Sequence, residues 1–338
     1  MTELVQILRD KRDLPDKGLV ELLETDNQSL VEELKECARA TAIESFGKEV
    51  FLRGLIEWSN VCRNDCLYCG IRCSNANIQR YTLTREQILS CCELAYSSGI
   101  RTFVLQGGEN PSSAQNLVPV VAEIHASWPD CAITLSLGEL PFDLYEKLRI
   151  AGADRYLLRH ETANPVHYAM LHPITMGQGT RLKCLYQLRE LCYQTGMGMM
   201  VGSPFQKTEY LVEDIRLIQM FRPEMIGIGP FIPHKDTKFA DFPAGSAELT
   251  LRLYSILRLM LPKANIPSTT ALSSVLPGGR IKGILAGANV IMPNFTPPQY
   301  RDAYSLYEGK AMDPLEEVQK ELSAEGYFTR PNRGDYNN

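Results

Sequence analysis

No stretch of the sequence offers the roughly 18 unbroken apolar residues of a membrane span, and the start, MTELVQILRDKRDL, lacks the apolar centre of a signal peptide. Both absences point to a cytoplasmic protein with no membrane partner. Positive charge is not in excess: 35 Lys and Arg against 40 Asp and Glu give a formal charge of −5, which argues against a nucleic-acid partner. No low-complexity linker interrupts the chain before residue 300, and no cysteine follows Cys192.

What is present is ordinary in bulk, with 338 residues, 44% hydrophobic and 22% charged, enough for one large domain. Ten cysteines are many for this length. Several are scattered singly, at 37, 131, 184 and 192, and Cys91 and Cys92 are adjacent. This fits buried free thiols and one metal site in a reducing compartment better than a disulfide framework.

The metal site is legible in Cys62-Arg63-Asn64-Asp65-Cys66-Leu67-Tyr68-Cys69. Three thiolates spaced CxxxCxxC on a short loop suit three irons of a 4Fe-4S cube and leave the fourth open to an exogenous ligand. The alternatives are three unrelated thiols and a structural zinc completed by Cys73.

Around this loop the pattern alternates. Helical spacing in residues 1–48 forms a preface, with Pro15 and Gly18 as breaks. A first strand over 49–58 runs into the cysteine loop. Seven helix–strand pairs follow: helix 84–98 with strand 101–106, 115–127 with 132–137, 141–151 with 154–159, 178–195 with 197–201, 208–220 with 225–229, 247–261 with 265–270, and 279–286 with 289–292. Gly99, Gly152, Gly196 and Gly287 read as helix C-caps. Eight strands with crossover helices predict a complete (β/α)8 barrel over residues 49–310, with a C-terminal helix and ragged tail over 311–338. An open doubly wound sheet is the structural alternative.

In such a barrel, catalytic groups sit at the carboxyl ends of the strands. There the sequence places Gln106-Gly107-Gly108-Glu109, whose glycines permit close backbone approach. Thr134 and Ser136 share one face of the next strand. Period two then points Arg155, Arg159 and Glu161 inward, with an internal Arg-Glu ion pair the alternative for the arginines. Glu161 suits ribose hydroxyls, and Arg181 a bidentate grip on a carboxylate. His160 and His172 receive no catalytic role. Thr269, Thr270, Ala271 and Met292 lie at the last two strand ends, and Tyr300, Tyr304 and Tyr307 read as part of a capping helix.

CxxxCxxC with Tyr68 before its last cysteine, followed by GGE, resembles the radical SAM superfamily. The phrases RGLIEWSNVCRNDCLYCGIR, LSLGE, GADRYLLRHETANP, MIGIGPFIPH, IPSTTAL, PGGR, GANVIMPNFTP and YSLYEGK, spread from residue 50 to 310, resemble more closely the HydE maturases of FeFe-hydrogenases. These are similar to biotin synthase and 3-methylornithine synthase. The resemblance implies a complete barrel, one 4Fe-4S cluster on Cys62, Cys66 and Cys69, and S-adenosylmethionine as cofactor, cleaved to a 5′-deoxyadenosyl radical. It implies SAM contacts at Tyr68, Gln106, Glu109, Glu161 and Arg181, with Gly107, Gly108 and Ser136 beside them. A substrate pocket is implied at Thr134, Arg155, Arg159, Met225, Thr269, Thr270, Ala271, Met292 and Tyr304. Arg155, Arg159, Thr134 and Tyr304 are its candidate catalytic groups.

The implied substrate is a small organometallic species, an iron-carbonyl-cyanide unit on cysteine delivered by HydG. The other partners implied are a HydF-type protein and an electron donor such as ferredoxin or flavodoxin. Some family members carry C-terminal cysteines for an auxiliary cluster; with none after Cys192, a single cluster is expected here. An amino-acid mutase of the methylornithine-synthase type and a non-catalytic iron-sulfur scaffold are the rival functions.

Overall fold

The computed structural model describes residues 2–309 and 315–336. The boundary expected between 310 and 311 lies outside the described residues. Three helices open the chain, Glu3–Lys11, Asp16–Glu24 and Gln28–Phe46. Asn27 starts the third by accepting from the Ser29 and Leu30 amides, and Gly47, with φ 65°, ends it. Gly18 does not break the chain as expected. It lies within the second helix, where a bare Cα lets Leu4 pack close.

The strands are β1 Phe51–Leu52, β2 Gly54–Ser59, β3 Thr102–Gly107, β4 Ala132–Ser136, β5 Arg155–Leu157, β6 Gln194–Met197, β7 Met200–Val201, β8 Met225–Ile226, β9 Gly229–Pro230 and β10 Val290–Ile291. Six form one parallel sheet in the order β2-β3-β4-β5-β6-β8; β1 pairs with β10, and β7 with β9, also in parallel. Single parallel bridges join Met225 to Asn265, Pro267 to Val290, and Leu55 to Asn294. The strand expected over 265–270 is therefore reduced to bridges at Asn265 and Pro267. Pro267 has no amide to give a ladder, and Thr270–Val275 turns into a helix.

Gly99, Gly152 and Gly287 have positive φ at helix ends, as their positions suggested. Gly196 differs. The preceding helix stops at Glu190, Cys192 makes the left-handed turn with φ 58°, and Gly196 sits inside β6. A Cβ there would come within 2.7 Å of Leu157 and 3.1 Å of Met225, so this glycine lets neighbouring strands pack. The helix Pro165–Leu171, started by Asn164, was not foreseen.

Helix Ala247–Met260 is buried on all sides from Thr250 onward, between the sheet and the N-terminal helices. Arg12 donates to the Leu259 carbonyl at 3.1 Å, and Arg252 to that of Leu23 at 3.0 Å. Arg258, fully buried, donates to the carbonyls of Gly287, Pro262 and Ala264 and to Asn289; burial pulls its pKa to about 9. Among the described residues no helix is long and apolar enough to cross a membrane, and all ten cysteines are free thiols.

Candidate active site at the carboxyl ends of the strands

The cysteine loop leaves the carboxyl end of β2 and is held by its own polar residues. Arg80 donates to the carbonyls of Asn60, Ile71, Arg72 and Asn75 at 2.6–3.1 Å. Asn60 spans to the carbonyls of Gln79 and Ala303 and accepts from the Tyr81 amide. Gly70 admits no side chain, because a Cβ would overlap the Ser305 carbonyl and the His234 ring. Cys62, Cys66 and Cys69 are half-buried, unlike the buried Cys91, Cys92, Cys131 and Cys184. The Met176 sulfur lies 3.7 Å from Cys66 Sγ.

Burial raises all three thiol pKa values, that of Cys69 to about 12, so a metal must displace protons to bind them. Among the described residues no three His, Cys, Asp or Glu side chains are spaced for a single metal ion. An iron-sulfur cube holds its thiolates farther apart than one tetrahedral ion does, and three soft donors on a braced loop fit that group.

Gly107 and Gly108 serve packing as well as ligand approach. A Cβ on Gly107 would meet the Trp58 indole, and one on Gly108 would lie 2.6 Å from the Val61 carbonyl and 2.9 Å from Cys62 Cβ. The glycine pair therefore seats the cysteine loop against β3.

Beyond them lies a layer of buried charge. Glu109 accepts from Arg63 Nε at 3.0 Å and Nη2 at 2.9 Å, and from the Glu139 amide at 2.7 Å. Arg181 donates to Glu139 at 2.8 Å and to the Arg159 carbonyl at 2.6 Å, and stands 3.9 Å from Glu109. Burial lowers the pKa of Arg181, but Tyr168, Glu161, Tyr68 and Glu139 more than offset it and keep the guanidinium charged. Glu139 and Arg63 were not singled out as site residues, although LSLGE contains the glutamate.

Glu161 has φ 67° without being glycine, a left-handed conformation that costs about 1–3 kcal/mol. Its Oε2 is buried and hydrogen-bonded to nothing. Arg159 Nη2 approaches it to 3.5 Å, an ion-pair contact too poorly aligned for a hydrogen bond. Arg159 Nε and Thr134 Oγ1 are likewise buried without partners. Such orphans in one interior are what a polar ligand would satisfy.

Tyr68 donates its hydroxyl to His172 Nε2 across 3.2 Å. The other ring nitrogen of His172 is 2.9 Å from the Tyr168 carbonyl, which fixes Nδ1 as the protonated one. His172 also stacks on Tyr168, with centroids 3.9 Å apart. Gln106 donates to the Tyr304 hydroxyl at 3.4 Å, and Thr269 Oγ1 lies 3.4 Å from the Tyr254 hydroxyl. Ser136 ends β4, Thr270 and Ala271 begin the helix after Thr269, and Met292 follows β10.

Arg155 and Met225 depart from the expected pocket. Arg155 begins β5 at the opposite end of the sheet, fully buried, and its guanidinium donates to Thr102, Gln194, the Arg333 carbonyl and Asp335. Arg155 thus forms an internal ion pair, but with Asp335 of the C-terminal segment and not with a glutamate. Met225 Sδ lies 3.0 Å from Arg53 Nη1 at the same end. The tail is not ragged here: residues 332–336 are seated against the strands.

A parallel α/β sheet with a three-cysteine loop and a charged layer at its carboxyl ends defines a class, and the comparisons agree on it. The radical SAM superfamily profile matches residues 56–218. The chain is 46% identical over 302 residues to the "[FeFe] hydrogenase maturase subunit HydE" of Thermotoga maritima, covering 89% of this chain and 86% of the relative. It is 29% identical over 287 residues to the 3-methylornithine synthase of Methanosarcina acetivorans, covering 82% and 79%. The crystal structure of methylornithine synthase (PylB) superimposes with a TM-score of 0.85 at 25% identity over 97% of both chains. That of HydG, a maturase of the [FeFe]-hydrogenase, does so at 0.85 and 21% identity over 99% of this chain and 76% of the other, a likeness of fold. The chain is a radical SAM enzyme. Within that superfamily it belongs to the HydE family of FeFe-hydrogenase maturases.

Proposed function

We propose that this chain cleaves S-adenosylmethionine reductively and remodels a cysteine-bound iron-carbonyl-cyanide precursor during assembly of the hydrogenase H-cluster two-iron subsite. The carrying observation is the braced three-cysteine loop beside buried donors and acceptors on Thr134, Arg159 and Glu161 that lack hydrogen bonds. When bound, the cluster supplies one electron to the sulfonium and SAM supplies the adenosyl radical.

Cys62, Cys66 and Cys69 hold the cluster. Tyr68, Gln106, Gly107, Gly108, Glu109, Ser136, Glu161 and Arg181 contact SAM. Glu109 would accept a hydrogen bond from the methionine amino group in place of one from Arg63, whose side chain is half exposed. Arg159, Thr134 and Tyr304 orient the substrate, with Thr269, Thr270, Ala271 and Met292 around it. Arg155 and Met225 are withdrawn from that set, because their polar atoms face the other end.

The bridges at Asn265, Pro267 and Asn294 support closing the sheet into a complete (β/α)8 barrel over 49–310, with 1–48 as preface. Such an interior excludes water and stray hydrogen donors from the reacting atoms. The reading includes one cluster, a cytoplasmic setting, HydG- and HydF-type partners, and a ferredoxin or flavodoxin donor. The test measures 5′-deoxyadenosine from reduced, reconstituted protein with SAM, adding either the iron-carbonyl-cyanide cysteine complex or lysine. Formation that rises with the complex alone is expected; a rise with lysine alone would transfer the chain to the mutase reading.

A further inference from the structure

The amino ends of the strands converge on a part of the chain to which the proposed reaction gives no role. Asn332 Nδ2 donates to Glu49 at 2.8 Å, and the Gly334 amide donates back to Asn332 Oδ1 at 2.9 Å, closing a tight turn. Gly334 has φ 60°, and a Cβ on it would come within 2.8 Å of the Phe51 ring. The carbonyls of this turn point inward. That of Arg333 accepts from Thr102 Oγ1 and Arg155 Nη2, each at 2.8 Å. That of Gly334 accepts from Asn265 Nδ2 at 3.2 Å and Arg53 Nη2 at 3.4 Å.

The side chains complete the seal. Arg333 donates to the Cys131 carbonyl, to Asp154 and to Asp335, all at 2.8–2.9 Å. Asp335 accepts from Arg155 at 2.6 Å and Gln194 at 3.4 Å, and the Tyr336 amide donates to Gln194 at 3.1 Å. Five consecutive residues thus reach the starts of β3, β4, β5 and β6, as well as Arg53 and Asn265. Outside the turn lies an open cavity of about 440 Å³ lined by Phe51, Arg101, Asp130 and the turn itself. Inside it are two buried guanidiniums. Arg53 Nε has no hydrogen-bond partner, and Asp335 is the carboxylate in contact with Arg155. Burial, then the neighbouring Arg155, pull the pKa of Arg53 well down, and Asp335 opposes them.

We propose that Arg155, Arg53, Thr102, Gln194 and Asn265 form a carboxylate-binding site at the amino-end mouth, which the chain fills with its own Arg333–Gly334–Asp335 turn as an exchangeable plug. Seated, the plug closes the interior to water and small anions from this side. Displaced, it leaves a site for a small carboxylate. Its contacts on the strand starts are polar almost throughout, so water can replace them one for one as the turn leaves. The proposal is independent of the cluster and SAM, and its test uses cluster-free protein, so its failure leaves the proposed reaction untouched.

A chain lacking residues 330–338 is titrated with a fluorescein-labelled peptide of that sequence, followed by anisotropy. Saturable binding is expected, weakened at least tenfold when the peptide carries Asp335→Asn, and reversed by formate. The full-length chain should bind the same peptide at least tenfold more weakly, because its tethered copy competes at an effective concentration of the order of millimolar. A folded truncated chain that ignores the peptide, or binds both peptides equally, overturns the proposal. If truncation prevents folding, full-length Asp335→Asn is compared with wild type for binding of ¹³C-formate by NMR. Binding should appear in Asp335→Asn and vanish when Arg155→Met is added. Equal behaviour of wild type and Asp335→Asn overturns the proposal.

Discussion

Acidification should destabilise the cluster-free protein through His172, and His172→Phe should remove that part of the sensitivity. Only 3% of His172 is exposed, and its two nitrogens are committed, Nδ1 donating to the Tyr168 carbonyl and Nε2 accepting from Tyr68. Burial lowers its pKa to about 3; the bond to the Tyr168 carbonyl works the other way, while Arg181 and His167 add to the lowering. A base with a depressed folded pKa is protonated first in the unfolded chain. Its full contribution is therefore present above the ordinary pKa of about 6.5 and is lost as pH falls from there towards 3. At pH 5 the loss is about 1.5 pH units' worth, or about 2 kcal/mol.

Phenylalanine keeps a ring against Tyr168 and the backbone bond from the residue-172 amide to the Tyr168 carbonyl, but leaves the Tyr68 hydroxyl unpaired, at about 1–3 kcal/mol independent of pH over this range. Urea unfolding at pH 7.5 and 5.0 separates the two effects. Wild type should lose about 2 kcal/mol more than the variant between these pH values. His167, also lowered by burial, titrates in both proteins and cancels. Equal losses would mean that His172 is not held neutral by its surroundings, and the assignment of Tyr68 as donor to it would fall with that.

Other sites give sharper single outcomes. Gly70→Ala should cut iron and sulfide uptake on anaerobic reconstitution by at least half, since the new methyl overlaps the Ser305 carbonyl; unchanged loading would show that the loop relaxes freely. Glu161→Gly should gain up to about 1 kcal/mol by relieving the left-handed backbone, yet bind labelled SAM at least tenfold more weakly in equilibrium dialysis. Glu161→Gln should lose affinity without that gain. Arg181→Met should lower unfolding free energy by about 3–5 kcal/mol, because Glu139 is left buried and uncompensated, and a loss below 1 kcal/mol would contradict the charged layer.

The cysteine loop was legible because its chemistry is local. Three soft donors at fixed spacing declare a metal, and Gly99, Gly152 and Gly287 declare helix ends through a backbone requirement that travels with the residue. Gly196 misled for the same reason: a glycine that admits Leu157 and Met225 across a sheet looks the same in sequence as one that ends a helix. Inward period-two placement identified Arg155 as interior but could not say which end it faced or that Asp335 would meet it. That pairing spans the chain and is set by the seating of residues 332–336, a polar stretch with no periodicity to read. Glu139 was visible as a residue, but its pairing with Arg181 exists only after β4 and the helix Gln178–Glu190 are brought together.

In the proposed function, three cysteines of one loop hold an iron-sulfur cluster whose remaining iron takes the methionine end of SAM. Electron–nuclear double resonance on the reduced, reconstituted protein with SAM labelled with ¹⁵N at the amino group tests it directly. A clear ¹⁵N coupling to the cluster is expected in wild type, with loss of that signal in Cys66→Ala. A reduced cluster that shows no coupling in the presence of bound labelled SAM would contradict it.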